Sequence, residues 1–373
     1  MHNNLTHTSN NPIHQIALTH IHGIGAVQAK QLLDYFEGDA TAIFKASKKQ
    51  LSNIHGIGEI KAKTIKDFDQ FQMAEEELLF CEKHHIQYLF ITNPNYPQRL
   101  LHCYDAPTVL YYRGNANLNN TKVVSIIGTR NLTDYGKQIT ETIVSQLESF
   151  GTLIVSGLAF GIDSIAHKAS VQMSLPTVGV LAHGLQTIYP SQHKNLAKEM
   201  LLNGGLLTEF GKNIVADKHN FPRRNRIVAG MADATIVVET AARGGSMITA
   251  ELAYNYNRDL FAVPGKITDT KSSGCLKLIQ QNKAVVFTDI QQFAENMGWQ
   301  SKKLKPKKQQ ELFIELTNDE QIIMNILAEK DTTHIDEIFL HAGLSSSSVA
   351  AAILNLELQN LIIGLPGKMY KQL

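Results

Sequence analysis

Few cysteines, no surplus of charge and no long apolar run mark this sequence, and each shortage removes a class of protein. Cys81, Cys103 and Cys275 are odd in number and widely spaced, with no Cys-x-x-Cys pair. That pattern provides neither a disulfide framework nor a zinc site, and it reads as reduced thiols in a cytoplasmic protein. Lys and Arg number 35 against 34 Asp and Glu, a net charge of +1. No global field attracts a polyanion, so any such site has to be local. No run of about 18 apolar residues is present, which argues against a membrane span. The opening residues lack the basic and apolar regions of a secretory signal. The histidines are scattered without His-Glu-x-x-His, and no metal is expected. Neither common nucleotide fingerprint fits. No Gly-x-Gly-x-x-Gly follows the first predicted strand, and Gly-x-x-x-x-Gly-Lys-Ser/Thr is absent. A dinucleotide enzyme or P-loop ATPase is therefore disfavoured, and no cofactor is expected.

A local shortage matters more. No Asp or Glu lies between Asp217 and Asp233, yet Arg223, Arg224 and Arg226 fall there, directly after Pro222. Proline suits the first turn of a helix, and a helix N-terminus favours anions. Three guanidiniums without local carboxylates have phosphate as their simplest partner. The plainer reading is a solvated basic helix end with remote salt-bridge partners. Both readings stand on the decapeptide Phe221–Gly230 alone.

The first eighty residues hold a duplicated element. Ile21-His22-Gly23-Ile24-Gly25 returns as Ile54-His55-Gly56-Ile57-Gly58, each copy between two short helical patterns. This predicts a helix-hairpin-helix domain over 1–72, a fold that either binds DNA phosphate through its turn or simply packs tightly on its glycines. A connector follows over 73–103. Between 104 and 296, short apolar runs alternate with helical stretches: Val123–Gly128, Leu153–Gly157, Thr177–Leu181, Leu206–Glu209, Thr235–Thr240, Leu260–Pro264 and Ala284–Phe287. Buried runs of this length between helices predict an α/β domain, a Rossmann-like doubly wound and mostly parallel sheet. A lysine-rich linker over 297–312 leads to three helical patterns and a short β pair over 313–373, a winged-helix-like domain. Ser345–Ser348 is placed to cap its third helix. That helix has no Lys or Arg from Ser345 to Asn360, which favours protein contact or packing over DNA reading.

Ligands of open α/β sheets sit beyond the carboxyl ends of the strands. Four such ends carry small or polar turns. They are Gly128-Thr129-Arg130, the Ser156–Asp163 turn with Gly157 and Gly161, Ala182-His183-Gly184, and Glu239 through Gly244-Gly245-Ser246 to Thr249. Glycine N–H groups there would face an oxyanion, with Arg130 and the arginine cluster supplying charge. Phe160, Phe221 and Tyr189 could stack bases or belong to the core. Asp163 and His167, four apart, could pair as base and orienter, although local capping and packing is the commoner outcome. Glu239 reads as a general base or, preferably, as a hydrogen-bond anchor.

These turns resemble, in order, those of the DNA-processing protein A (DprA/Smf) family. The matching residues are Tyr96-Pro97, Ile127–Arg130, Tyr135-Gly136, Ser156–Asp163 with Ala166-His167, Gly184-Leu185, and Tyr189-Pro190. They continue through Glu209, Phe221–Ile227, Val238-Glu239, Gly245–Ala250 and Ala262–Gly265. Departures are Thr129 for serine, Ala182-His183 for a glycine, and Cys275–Lys277 with Asn282-Lys283 near the rim. The resemblance implies a non-enzymatic protein of natural transformation that binds incoming single-stranded DNA, protects it and loads the RecA recombinase, commonly as a homodimer. Carried over by position, it implies DNA contacts from Gly128, Thr129, Arg130, Ser156, Gly157, Phe160, Gly161, Asp163, Phe221, Arg224, Asn225, Arg226, Gly244, Gly245, Ser246 and Thr249, while Arg223, which the matched pattern does not require, stays open between a DNA contact and a solvated helix end. Lys168 and Lys194 are weaker candidates because they only follow matched turns. Removal of Arg224 and Arg226 together is expected to abolish oligo-dT binding and leave the fold intact. The rival is a nucleotide phosphoribohydrolase of the lysine-decarboxylase-like family, with Glu239 and Gly244-Gly245 as its echo. Its acid, however, follows its glycines, and here Glu239 precedes them. A third reading is a duplex binder acting through the hairpin domain.

Overall fold

The computed structural model describes residues 11–299, 316–330, 332–359, 361–365 and 367–372. They form two compact units that divide between Lys302 and Lys303. Most of the lysine-rich linker lies outside the described residues.

The first unit begins with six short helices, Pro12–Ala17 to Phe71–Lys83. Both copies of the repeat form the turn before a helix, Ala26–Tyr35 and Gly58–Lys66. Gly23 and Gly56 take φ of +78° and +81°, a left-handed conformation that glycine adopts without strain. The isoleucines on either side of each turn, Ile21 and Ile24, Ile54 and Ile57, are buried with Leu32, Leu33, Ala62 and Ile65. The duplication therefore encodes two equivalent hydrophobic hairpins, the helix-hairpin-helix fold.

A nine-stranded sheet follows: β1 Gln87–Phe90, β2 Val109–Gly114, β3 Val123–Ile127, β4 Leu153–Ser156, β5 Thr177–Val180, β6 Gly204–Thr208, β7 Ala234–Val237, β8 Asp259–Ala262 and β9 Val285–Val286. Their spatial order is β1-β2-β6-β5-β4-β3-β7-β8-β9. Strands β3 to β9 are parallel, as their apolar runs predict. β1 and β2 extend the sheet antiparallel, β2 against β6, so the stretch read as a connector carries a strand. Helices Asp134–Leu147 and Ile162–Gln172 cover one face, over Val124, Ile126 and Ile154. Helices Asn220–Gly230 and Gly245–Asn255 cover the other, where Ile227, Val228, Met247 and Ala250 join Val155 and Val178. The same core continues into the N-terminal hairpins. From β3 the chain steps through β4, β5 and β6 on one side, then returns to β7 on the other. That reversal opens a crevice at the carboxyl ends of β3 and β7.

The second unit holds helices Asn318–Ala328, Ile335–Ala342 and Ser346–Leu358. Its three-stranded sheet has the order β10 (Thr333–His334), β12 (Met369–Gln372), β11 (Ile362–Leu365). Thr317 and Glu320 form a capping box, and Ser345 accepts from the Ser348 N–H at 3.1 Å, as its position predicts. Ile323, Ile338, Val349, Ile353 and Leu356 form its core. This is a winged helix. Among the described residues no single helix is long and apolar enough to cross a membrane.

Candidate nucleic-acid interface

A cleft of about 570 Å³ occupies the crevice, walled by the turn after β3, the turn after β4 and the first turns of helices Asn220–Gly230 and Gly245–Asn255. Three bonds hold its base. The Thr129 N–H donates to the Glu239 carbonyl at 2.7 Å, tying the end of β3 to the end of β7. The buried Glu239 carboxylate accepts from the Thr133 N–H at 2.9 Å and from the Thr133 hydroxyl. Thr133 in turn caps helix Asp134–Leu147. A Cβ on Gly136 would strike this carboxylate. Glu239 is thus the anchor, fully engaged by the chain and outside the cleft lining.

The arginine cluster divides in a way its spacing does not reveal. Arg224 is 5 % exposed and forms the floor of the cleft. Its Nη1 donates to the carbonyls of Gly157 and Val180, and its Nε to Asn225 Oδ1 at 3.1 Å. Burial lowers its pKa to about 10, opposed by the facing Asp163, so it remains a cation at neutral pH. Burial raises the Asp163 pKa, and Arg224 offsets that. Arg226 is 9 % exposed and turned away from the cleft. It donates to the Asp105 carbonyl and, at 2.5 Å, to Glu209. Arg223 reaches the same carboxylate at 3.5 Å. The absence of local acids is therefore misleading, because Glu209 and Asp163 arrive from other strand ends. This corrects the expectation that Arg226 faces the groove.

Of the other expected contacts, Gly128, Thr129, Arg130, Gly157, Asp163, Phe221, Asn225, Gly244, Gly245, Ser246 and Thr249 line the cleft together. Ser156, Phe160, Gly161, Lys168, Lys194 and Arg223 do not. Ser156 is buried and donates to the Ile126 carbonyl at 2.6 Å. Phe160 lies edge-on to His193, 44 % exposed. Lys168 and Lys194 are exposed on helices beyond the lining. Gly157 and Gly161 serve packing. A Cβ on Gly157 would lie 2.6 Å from Arg224 and Asp163, and one on Gly161 would overlap the Thr129-Arg130 backbone. Two N–H groups of that turn are also spent internally: Ile162 donates to Thr129 at 3.2 Å and Ala159 to Asp163 at 3.4 Å. The open anion-facing terminus is instead that of helix Gly245–Asn255, where a Cβ on Gly245 would meet nothing. The Met247 N–H closes on the Gly244 carbonyl at 3.2 Å, and the N–H groups ahead of it in the first turn have no acceptor within the helix.

Lys218 and Arg243 add two more cations to the lining, both exposed. The arginine just before the Gly244-Gly245 turn was a legible signal for one of them; nothing local marks Lys218. Arg130, Lys218, Arg224 and Arg243 then face a single carboxylate, Asp163. Arg130 stacks over the Phe221 ring at 5.3 Å, and Phe221 lies 6.0 Å from Tyr189, which is 53 % exposed. His167 and Asp163 do not pair. His167 Nδ1 bonds Thr177 at 2.7 Å, and burial holds its pKa down at about 3. Cations, a helix terminus and the half-buried Phe221 ring in one cleft, with the exposed Tyr189 beside it, can bind a phosphodiester strand and stack its bases.

Residues 87–298 match the family described as DNA recombination-mediator protein A. Residues 16–68 match the SAM-like helix-hairpin-helix tandem, and 306–368 the DprA winged helix domain. Protein Smf of Synechocystis is 31 % identical, over 96 % of this chain and 98 % of its own length. The structure of DNA processing protein A from Streptococcus pneumoniae superposes with a TM-score of 0.66 at 31 % identity. It covers 77 % of this chain and 98 % of its own. The Helicobacter pylori protein, described for its single-stranded DNA binding mode, gives 0.52 at 32 % identity, over 57 % and 95 %.

Proposed function

Because this chain belongs to the DNA recombination-mediator protein A (DprA/Smf) family, we propose that it binds single-stranded DNA in the cleft between β3 and β7. The observation that carries this reading is the charge balance of the cleft, four cations against one carboxylate, in a chain whose net charge is only +1. Arg130, Lys218 and Arg243 hold phosphates, helix Gly245–Asn255 adds its N-terminal N–H groups, and Phe221 with Tyr189 stacks bases. Arg224 supplies charge from the floor. In keeping with the family's name, the bound strand is protected during transformation and handed to a RecA recombinase, with the chain acting as a homodimer rather than an enzyme. The three buried, unpaired thiols suit a reducing cytoplasm. Glu239, the residue a phosphoribohydrolase would need, is occupied by Thr133, which speaks against that rival.

The test is a titration of the full chain with labelled oligo-dT and with a duplex of equal length over a salt series. Strand binding in this cleft predicts tighter single-strand affinity, with a log–log salt slope of about −0.7 per phosphate contacted. Preference for the duplex would move the site to the hairpin domain.

A further inference from the structure

The two copies of the hairpin repeat carry opposite charge. Between Asp39 and Asp67, the second copy and its flanks hold Lys45, Lys48, Lys49, Lys61, Lys63 and Lys66 against a single acid, Glu59. From Asn11 to Gly38 the first copy has Lys30 alone, against Asp34 and Glu37. Five of the six lysines are exposed and Lys61 is half-buried. None of them has a carboxylate partner among the described salt bridges. Two are held in place by the backbone. Lys61 Nζ donates to the Gly56 carbonyl at 2.7 Å, in the turn itself. Lys66 Nζ donates to the Phe44 carbonyl at 2.7 Å, next to Lys45. An ammonium has three donors, so each keeps two for a ligand.

The turns differ at equivalent positions. Gln28 and Lys61 each stand three residues after the last glycine of their repeat, Gly25 and Gly58. Gln28 accepts the Gly25 N–H at 3.1 Å and closes the first turn. Lys30 reaches the Leu101 carbonyl at 3.2 Å, and Gly25, Ala26 and Ala29 face Phe210 across a narrow hollow. The first hairpin is thus spent on the sheet domain. Lys61 has no acceptor to offer, and among the described residues no side chain caps helix Gly58–Lys66. His55, Gly56 and Gly58 are exposed in that second turn, and a Cβ on Gly58 would meet nothing.

We propose that the second hairpin is a separate site for the backbone of double-stranded DNA, so that the chain holds a duplex there while a single strand occupies the cleft. Cations and free N–H groups are enough to hold a duplex backbone without reading its sequence. A single strand calls in addition for stacking rings. Phe44 is the only Phe, Tyr or Trp between Asp39 and Asp67, and it packs against Phe68 and Phe71. None of the six lysines lines the cleft. Simultaneous binding rests on the strand-binding reading; the duplex site does not.

The experiment titrates the full chain with a labelled blunt duplex and with labelled oligo-dT of equal length, across a salt series. Wild type should bind the duplex more weakly than oligo-dT, and saturating unlabelled duplex should leave oligo-dT bound. Lys48→Glu/Lys63→Glu should lower duplex affinity about tenfold or more and reduce its log–log salt slope by about 1.8, for two lost phosphate contacts. Its oligo-dT affinity should stay within about twofold and its melting temperature should not change. Lys61→Gln, which gives the second turn the residue of the first, should also weaken duplex binding and spare oligo-dT. No duplex binding by wild type, or wild-type duplex affinity in both variants, would overturn the site. Displacement of oligo-dT by the duplex would overturn simultaneous binding. A chain that binds the duplex through these lysines but no oligo-dT would overturn the cleft reading and leave the hairpin site standing.

Discussion

Arg226 and Glu209 meet at 2.5 Å on the side of the arginine helix that faces away from the cleft. Both side chains are almost fully buried, so the pair holds the helix to the end of β6. Removing one member of a buried pair strands the other charge, at a cost of about 3–5 kcal/mol. Arg226→Ala should therefore lower the melting temperature by several degrees, with any loss of DNA binding tracking the loss of folded protein. A stable Arg226→Ala protein that no longer binds oligo-dT would return Arg226 to the groove.

Arg224 combines structure and charge. Its guanidinium satisfies the carbonyls of Gly157 and Val180 and faces Asp163. Arg224→Ala should cost stability on the same scale, about 3 kcal/mol or more. With both guanidiniums buried and bonded, removing Arg224 and Arg226 together should destabilise the fold and not leave it intact. Gly157→Ala should reproduce part of the defect, because its methyl would lie 2.6 Å from that guanidinium. Urea denaturation of the two variants checks both statements; wild-type midpoints would contradict them.

Glu239 should behave as an anchor. Glu239→Gln keeps one acceptor and loses the charge that the Thr133 N–H and hydroxyl meet. Hydrogen bonds to charged groups contribute about 1.5–3 kcal/mol, and a drop of that order in unfolding free energy is expected. Incubation of the wild-type chain with AMP or CMP should release no free base by chromatography. Base release that disappears in Glu239→Gln would restore the hydrolase reading.

The central parallel strands were legible because they are buried on both faces and so read as apolar runs. Val123–Ile127 and Ala234–Val237 are examples. β1 was not: Gln87–Phe90 goes from exposed to buried in four residues and lies close to an Asn-Pro turn. The duplicated hairpin was legible because two copies place isoleucine and glycine in the same register. The direction of each arginine was not, since the deciding carboxylates, Glu209 and Asp163, come from the ends of other strands. Sequence also could not separate glycines that face a ligand from those that admit a neighbour. Gly157 and Gly161 admit Arg224 and the Thr129-Arg130 backbone, whereas Gly245 faces open space.

Acid should weaken the fold through His167. Its folded pKa is lowered to about 3 by burial, then by His193 and Arg224, against an unfolded value of about 6.5. Between these values the unfolded chain binds a proton that the native chain refuses. Stability contributed by the neutral ring is thus lost as pH falls through that window, by at most about 1.4 kcal/mol per pH unit. Asp163, whose pKa is raised by burial, has the opposite sign and costs stability as pH rises above its unfolded value. Melting curves from pH 6.5 to 4.5 should show a shallower decline for His167→Gln than for wild type. Parallel curves would mean that the imidazole is protonated in the folded chain.

Arg130 and Arg243 test the cleft most directly, because both are exposed, line it, and have no carboxylate partner among the described salt bridges. The measurement is the affinity of the full-length Arg130→Ala/Arg243→Ala chain for labelled oligo-dT at two salt concentrations, with its melting temperature alongside. The predicted result is a loss of about tenfold or more in affinity, a salt slope reduced by about 1.4 for two lost phosphate contacts, and an unchanged melting temperature. Wild-type affinity with a wild-type salt slope would contradict a strand bound between β3 and β7.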